Sequence, residues 1–202
     1  MTPGELVPFN PLAKTNLAES IVGQLLMRPP ICMTDLTRFR GAGIYAIYYN
    51  GNFHAYQPLV EMNDQGPSVP PIYVGKAVPK GARKGGDLEA SPGNVLYNRL
   101  GQHVNSIQEA TNLAVNEFTC RYLTLDDIWI PLAEALLIAK FSPLWNTLVD
   151  GFGNHDPGKG RHKGVRSRWD TLHPGRKWAK PLLDRKETTD IIISDVRRFF
   201  AS

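Results

Sequence analysis

Cysteine is scarce: Cys32 and Cys120 are the only two in 202 residues, they lie far apart, and neither falls in a CxxC spacing. That excludes a disulfide framework or a cysteine-held zinc, and it fits reduced thiols in a cytosol. Neither reads as catalytic. Long apolar runs are missing too. The most apolar helical stretch, Leu132 to Ala139, carries Glu134 inside it and falls short of the roughly 20 apolar residues that a bilayer-spanning helix needs, so no membrane is expected. Met1 to Asn10 has no basic region followed by an apolar one, and no secretory signal is expected there. There is no internal repeat and no low-complexity tract. His155, His162 and His173 lack zinc-like spacing and read as loop or phosphate-contacting residues. What is present, 42% hydrophobic and 21% charged residues, suffices for a sizeable core.

The net charge of +4 is modest but unevenly spread. Residues 1–150 hold 11 Lys and Arg against 13 Asp and Glu, whereas residues 151–202 hold 12 against 6. Between Lys159 and Lys180 eight basic residues face a single acid, Asp170, with Trp169 and Trp178 among them. A polyanion is expected near this segment, although charge alone describes a solvated loop and helix face equally well. Gly153 to Lys159 spells GxxxxGK, the opening of a phosphate-binding loop. Gly160 follows where Ser or Thr is needed, so triphosphate binding is discounted.

Periodicity supplies the elements. Leu17, Ile21, Leu25 and Leu26 predict a helix over Asn16 to Met27, capped at Thr15 and stopped by Arg28-Pro29-Pro30. The β-rich runs Gly43 to Tyr49 and Phe53 to Leu59 flank Asn50-Gly51 and predict a hairpin. Ile72-Tyr73-Val74 predicts a short strand, Pro79 to Gly93 a loop, and Asn94 caps a helix from Val95 to about Gln108. Glu117 to Leu123 predicts a strand, Pro131 to about Phe141 a helix, and Thr188 to Phe200 the last helix. This order predicts an α+β fold, a small mixed or antiparallel sheet flanked by helices. The divisions expected are an N-terminal helical arm over 1–40, a core over 41–150 with an insertion at about 50–70, and a basic DNA-contacting segment over 151–202.

Strand alternation puts Ile44, Ala46 and Tyr48 on one face and Tyr45, Ile47 and Tyr49 on the other, so tyrosines including Tyr73 can gather on one side of the sheet. Any one of them alone reads as ordinary packing. Arg99 and His103 stand one helical turn apart beside the apolar stripe of Leu96, Leu100 and Ile107, where a guanidinium and an imidazole could share one phosphate. A lone histidine on such a stripe is more often inert. Glu134 has Ile130, Pro131, Leu137 and Ile138 as its helical neighbours, and a carboxylate on so apolar a face must be paired, protonated or metal-bound. The bland reading is a first-turn acid complementing the helix dipole.

Gly43-Ile44-Tyr45, Tyr73-Val74-Gly75 with Lys76 behind it, Arg99 and His103, Glu134, and Asn146 in Leu144-Trp145-Asn146 together resemble the GIY-YIG nuclease family in order and element type, over about half of the chain. The stretches IYVGKA (72–77), PLWN (143–146) and VDGFGNH (149–155) resemble its type II restriction endonucleases most. Two departures stand out: the motif tyrosines are 28 positions apart (45 to 73), wider than the family's short connection, and Val74 replaces Ile.

The resemblance implies phosphodiester hydrolysis with one Mg²⁺, or Mn²⁺ in its place, held by Glu134, with Arg99 neutralising charge on the phosphate. It implies Tyr45 as the base, its phenolate favoured by Lys76, the metal or a protonated His103; alternatively Tyr45 orients the water while Lys76 or His103 moves the proton. Tyr73 would hold phosphate or water, and Asn146 would pin the site's backbone. It further implies double-stranded DNA as substrate, a homodimer, a short GC-rich palindrome such as CCGCGG, a cognate DNA methyltransferase without stable complex, and a bacterial cytoplasm. Base contacts are expected from Arg161, Lys163, Arg166 and Arg168. The competing readings are a non-catalytic DNA-binding module and a repair or homing nuclease with the same site.

Overall fold

The computed structural model describes residues 9–63, 69–79, 91–156 and 164–201. Its elements follow the chain as α1 (Lys14–Leu26), β1 (Ile31–Cys32), β2 (Gly43–Tyr49), α2 (Gln57–Asn63), β3 (Tyr73–Ala77), α3 (Val95–Glu109), β4 (Phe118–Thr124), α4 (Ile130–Phe141), α5 (Leu144–Thr147), α6 (Arg168–Leu172) and α7 (Thr189–Ala201). The strands form one antiparallel sheet in the order β1-β4-β2-β3. The α+β class expected from the element order is the one observed. No described helix is long and apolar enough to cross a membrane, and both cysteines are free thiols.

The expected hairpin is not there. Asn50-Gly51 does turn the chain, but both edges of β2 are occupied, one by β3 and one by β4, so the run after the turn has no edge to pair with. Asn50 N instead donates to Glu117 O at 2.8 Å, Phe53 N donates to the Tyr49 hydroxyl at 2.8 Å, and residues 54–56 wind into a 3-10 turn that leads into α2. Pro58 suits the first turn of that helix, where its missing N–H is no loss. An edge strand, β1, pairs with β4, in a stretch where no strand was expected. Thr15 lies within α1, whose N-cap is Ala13, and the preceding turn is held by Asn10 Oδ1 accepting from Leu12 N at 3.0 Å.

Alternation along β2 divides the interior in two, as the sequence predicts. Ile44, Ala46 and Tyr48 join Val74, Val22 and Leu25 of α1, and Ile130, Ala133 and Leu137 of α4. Tyr45, Ile47, Tyr49 and Tyr73 face the opposite side with Leu96 and Leu100 of α3, Trp145 of α5, Trp169 and Leu172 of α6, and Ile192 and Val196 of α7. Each fully buried Val, Leu or Ile among them contributes about 1.5–3 kcal/mol relative to leaving it exposed. The charge break near residue 150 is therefore no break in packing, because α6 and α7 belong to the same core as the sheet.

Candidate active site

Five of the seven catalytic candidates line one open cleft of about 580 Å³: Tyr45 from β2, Tyr73 and Lys76 from β3, Arg99 from α3 and Glu134 from α4. Antiparallel register makes this possible, since Tyr45 lies opposite Gly75 and its ring crosses the neighbouring strand toward Tyr73, with ring centroids 6.2 Å apart. The glycine of Tyr73-Val74-Gly75 is required by that crossing. A Cβ at Gly75 would lie 2.3 Å from the Tyr45 hydroxyl.

His103 sits behind the cleft rather than in it. It is 1% exposed, stacks on Phe152 at 4.4 Å, and accepts the Tyr45 hydroxyl hydrogen at Nε2 over 2.6 Å. The Arg99–His103 spacing thus does not yield two groups on one phosphate. Burial, then the charge of Arg99, holds the imidazole well below its ordinary range, so it is neutral and not the cation expected beside Tyr45. Burial raises Tyr45 well above the ordinary phenol range and Tyr73 in the same direction, with Arg99 the cation that opposes both. With the phenol raised and the imidazole lowered, the proton rests on the Tyr45 oxygen, and the bond to His103 fixes the direction of its O–H.

Arg99 is already engaged. Nη1 donates to Gln102 Oε1 at 3.1 Å and to His155 Nε2, and Nη2 donates to Gly153 O at 2.9 Å. The loop after α5 therefore closes one wall of the site. Gly153 has to be glycine there, because a Cβ would lie 2.6 Å from the Tyr73 hydroxyl and 3.3 Å from Arg99 Nη2. His155 and Gln102 also line the cleft. His155, read from the sequence as a loop or phosphate-contacting residue, stands in that wall, whereas Phe152, Gly153 and Gln102 were missed as parts of the site; the stretch VDGFGNH and the i,i+3 spacing of Gln102 from Arg99 were the available signals.

Glu134 is paired, one of the states its apolar neighbours demanded. Its Oε2 accepts from Lys76 Nζ at 2.5 Å, with the side chains 20% and 30% exposed respectively. The buried stripe of α4 is Ile130, Ala133 and Leu137, and Glu134 stands beside it facing the cleft rather than within it. Among the described residues no group of three or more His, Cys, Asp or Glu could form a closed metal cage. A single carboxylate on an open cleft, already presenting an oxygen to the Lys76 ammonium, fits a hard divalent cation that takes its remaining ligands from water and phosphate.

Asn146 clamps the middle of β3 from α5: its Oδ1 accepts from Val74 N and its Nδ2 donates to Val74 O, both at 2.8 Å. The residue between Tyr73 and Gly75 is thereby fixed at both backbone groups. Of the basic candidates, Arg161 and Lys163 lie outside the described residues. Arg166 donates to Ala179 O and Lys180 O, each at 3.2 Å, and pairs with Asp184 at 2.9 Å. Arg168 pairs with Asp195 and, at 3.6 Å, with Glu187. His173, expected in a loop or on phosphate, is instead a buried core residue bonded to Tyr56.

Paired tyrosine strands, an arginine helix and a glutamate helix around one cleft define a GIY-YIG nuclease domain. Residues 37–200 match the family model described as the Eco29kI GIY-YIG domain, and the chain belongs to that family of type II restriction endonucleases. It is a DNA endonuclease of the restriction type. No curated protein matched it.

Proposed function

We propose that the protein cuts both strands of double-stranded DNA at a short, GC-rich palindrome, as a homodimer with one Mg²⁺ per active site held by Glu134. What supports this most is the convergence of Tyr45, Tyr73, Lys76, Arg99 and Glu134 on one cleft wide enough for a phosphodiester. One glutamate-centred site per chain serves one strand, so a palindromic break calls for two chains about a twofold axis. The setting is a restriction–modification system in a bacterial cytoplasm, with a methyltransferase protecting the same site.

Each side chain has a role its position suits. Arg99, a permanent cation with a planar donor fork, exchanges its contacts with Gln102 and His155 for equatorial oxygens of the attacked phosphate. Tyr45 accepts a hydrogen bond from the attacking water and takes its proton as the bond to phosphorus forms, while its own hydroxyl proton passes to His103 Nε2. Arg99 is the cation in the cleft whose charge favours the phenolate, and Lys76 lines the same cleft. Tyr73 donates to a phosphate oxygen, and Asn146 keeps β3 in register beneath it. Mg²⁺, when bound, supplies Lewis acidity toward the phosphate and stabilises the leaving 3′ oxygen. With Arg166 and Arg168 committed to the chain itself, Arg161 and Lys163 are the stronger candidates for base contacts.

The test is direct. Plasmid DNA incubated with purified protein and Mg²⁺ gives discrete fragments whose ends define one palindrome. DNA left intact under every divalent metal, with the protein bound to it, would instead support a non-catalytic binding module.

A further inference from the structure

Arg176 lies outside the cleft, in the basic run that reads as surface, yet it is 1% exposed. All five of its N–H donors are used. Nε and Nη2 donate to the two oxygens of buried Asp170 at 2.6 and 2.8 Å, and Ser167 Oγ supports that carboxylate at 2.6 Å. Nη2 also donates to Gly151 O at 2.9 Å, and Nη1 donates to Phe152 O at 3.1 Å and Asn154 O at 3.4 Å. The guanidinium is held between the rings of Trp169 and Trp178, at 4.4 and 4.6 Å from their centroids.

The carbonyl that Arg176 does not take is that of Gly153, and it is the one that Arg99 Nη2 holds. Two guanidiniums, one sealed in the core and one in the cleft, thus share four successive carbonyls of residues 151–154. Gly151 makes the loop's entry possible at φ +105°, where a Cβ would lie 2.1 Å from Ser167. The Phe152 ring carried by the same loop stacks on His103, the partner of Tyr45. Only a planar fork with five donors can satisfy Asp170 and three carbonyls at once; an ammonium has three donors and no plane to stack.

We propose that Arg176 is a positioning residue for the cleavage site: it fixes the 151–154 loop so that Gly153 O aims the Arg99 guanidinium and Phe152 holds His103 behind Tyr45. The inference rests on the reading of Arg99 as the phosphate-binding group. Its effect belongs to the chemical step, since a displacement of about 1 Å in such a group can lower a rate by about 100-fold while leaving binding intact.

The experiment compares wild-type protein with Arg176→Lys in single-turnover cleavage of a plasmid, with enzyme in excess so that the rate constant does not depend on the fraction of active molecules. Filter binding to the same DNA in Ca²⁺ is measured in parallel. The expected result is a rate constant lowered about 10- to 100-fold with the dissociation constant unchanged within about twofold. An ¹⁵N spectrum of the arginine side chains should also show the Arg99 signal of the free protein moved or broadened. If wild type cuts and Arg176→Lys, folded, cuts at the same rate, the proposal is overturned. Should the lysine variant fail to fold, Trp178→Leu, which leaves Arg176 in place but unstacked on one side, carries the decision: a slower chemical step at unchanged affinity supports the proposal, and an unchanged step overturns it. A wild-type protein that binds but never cuts would overturn the cleavage reading itself, and the Arg99 signal in Arg176→Lys would still decide the positional claim.

Discussion

Among the described residues, two tyrosine–histidine pairs lie on the same core side of the sheet, Tyr45 with His103 and Tyr56 with His173, each joined from phenol oxygen to Nε2 at 2.6 Å. Their surroundings separate them. Tyr56 Oη also accepts from Trp145 Nε1 at 2.9 Å, and His173 Nδ1 meets Asn112 Oδ1 at 2.9 Å, so the second pair is closed on itself in the core. Burial raises the Tyr56 phenol and lowers His173 to about 3. The first pair has the same internal bond and the same directions of shift, but its phenol lines a cleft that also holds Arg99, Lys76 and Glu134. The pairing is thus a packing solution that recurs; what makes one copy part of the candidate site is the charged side chains gathered beside its phenol.

Matched substitutions separate the two pairs. Tyr45→Phe and Tyr56→Phe each leave an imidazole nitrogen without its donor, so each variant loses about 1–3 kcal/mol of stability in urea unfolding. Only Tyr45→Phe loses cleavage, by about 100-fold or more, while Tyr56→Phe cuts at nearly the wild-type rate. Equal losses of cleavage in the two variants would erase the distinction.

Acid titration sharpens it further. His103 and His173 are both neutral because the fold lowers their proton affinity, whereas in the unfolded chain they titrate near the ordinary value of about 6.5. The unfolded state therefore binds more protons below that pH. The stability they contribute is complete above about 6.5 and falls as pH drops, by about 1.4 kcal/mol per pH unit for each histidine, down to about 3 for His173. Melting temperatures from pH 7 to 4 should show this decline, with a shallower slope in His173→Gln. Parallel slopes in the two proteins would contradict the assignment.

Much of the fold was legible because its elements announce themselves locally. The alternation of Gly43 to Tyr49, the stripe Leu96, Leu100 and Ile107, and the Pro131 helix start are all properties of a few adjacent residues. Phe53 to Leu59 misled because its aromatic and branched residues suit a strand, while the deciding fact, that both edges of β2 are taken, is not local. The ordered set of Tyr45, Tyr73, Arg99 and Glu134 was legible for the same reason as the strands, through residue type on a recognisable element. The loop at 151–155 was legible only as a stretch resembling the family's; its contacts with Arg99 and Arg176 were not, because glycines and a histidine in a turn look like surface, and Arg176 looked like one more cation in a basic run. Its one sequence signal was the lone acid, Asp170, among eight bases, flanked by tryptophans that close over the ion pair.

The central claim is that hydrolysis depends on a single carboxylate in this cleft. It is tested most directly by giving Glu134→Gln a duplex that the wild type cuts in Mg²⁺ and measuring binding and cleavage on the same sample. The account predicts a complex of about wild-type affinity whose DNA stays whole, with melting behaviour near that of the parent. Cleavage at a rate close to wild type would show that the reaction centre lies elsewhere.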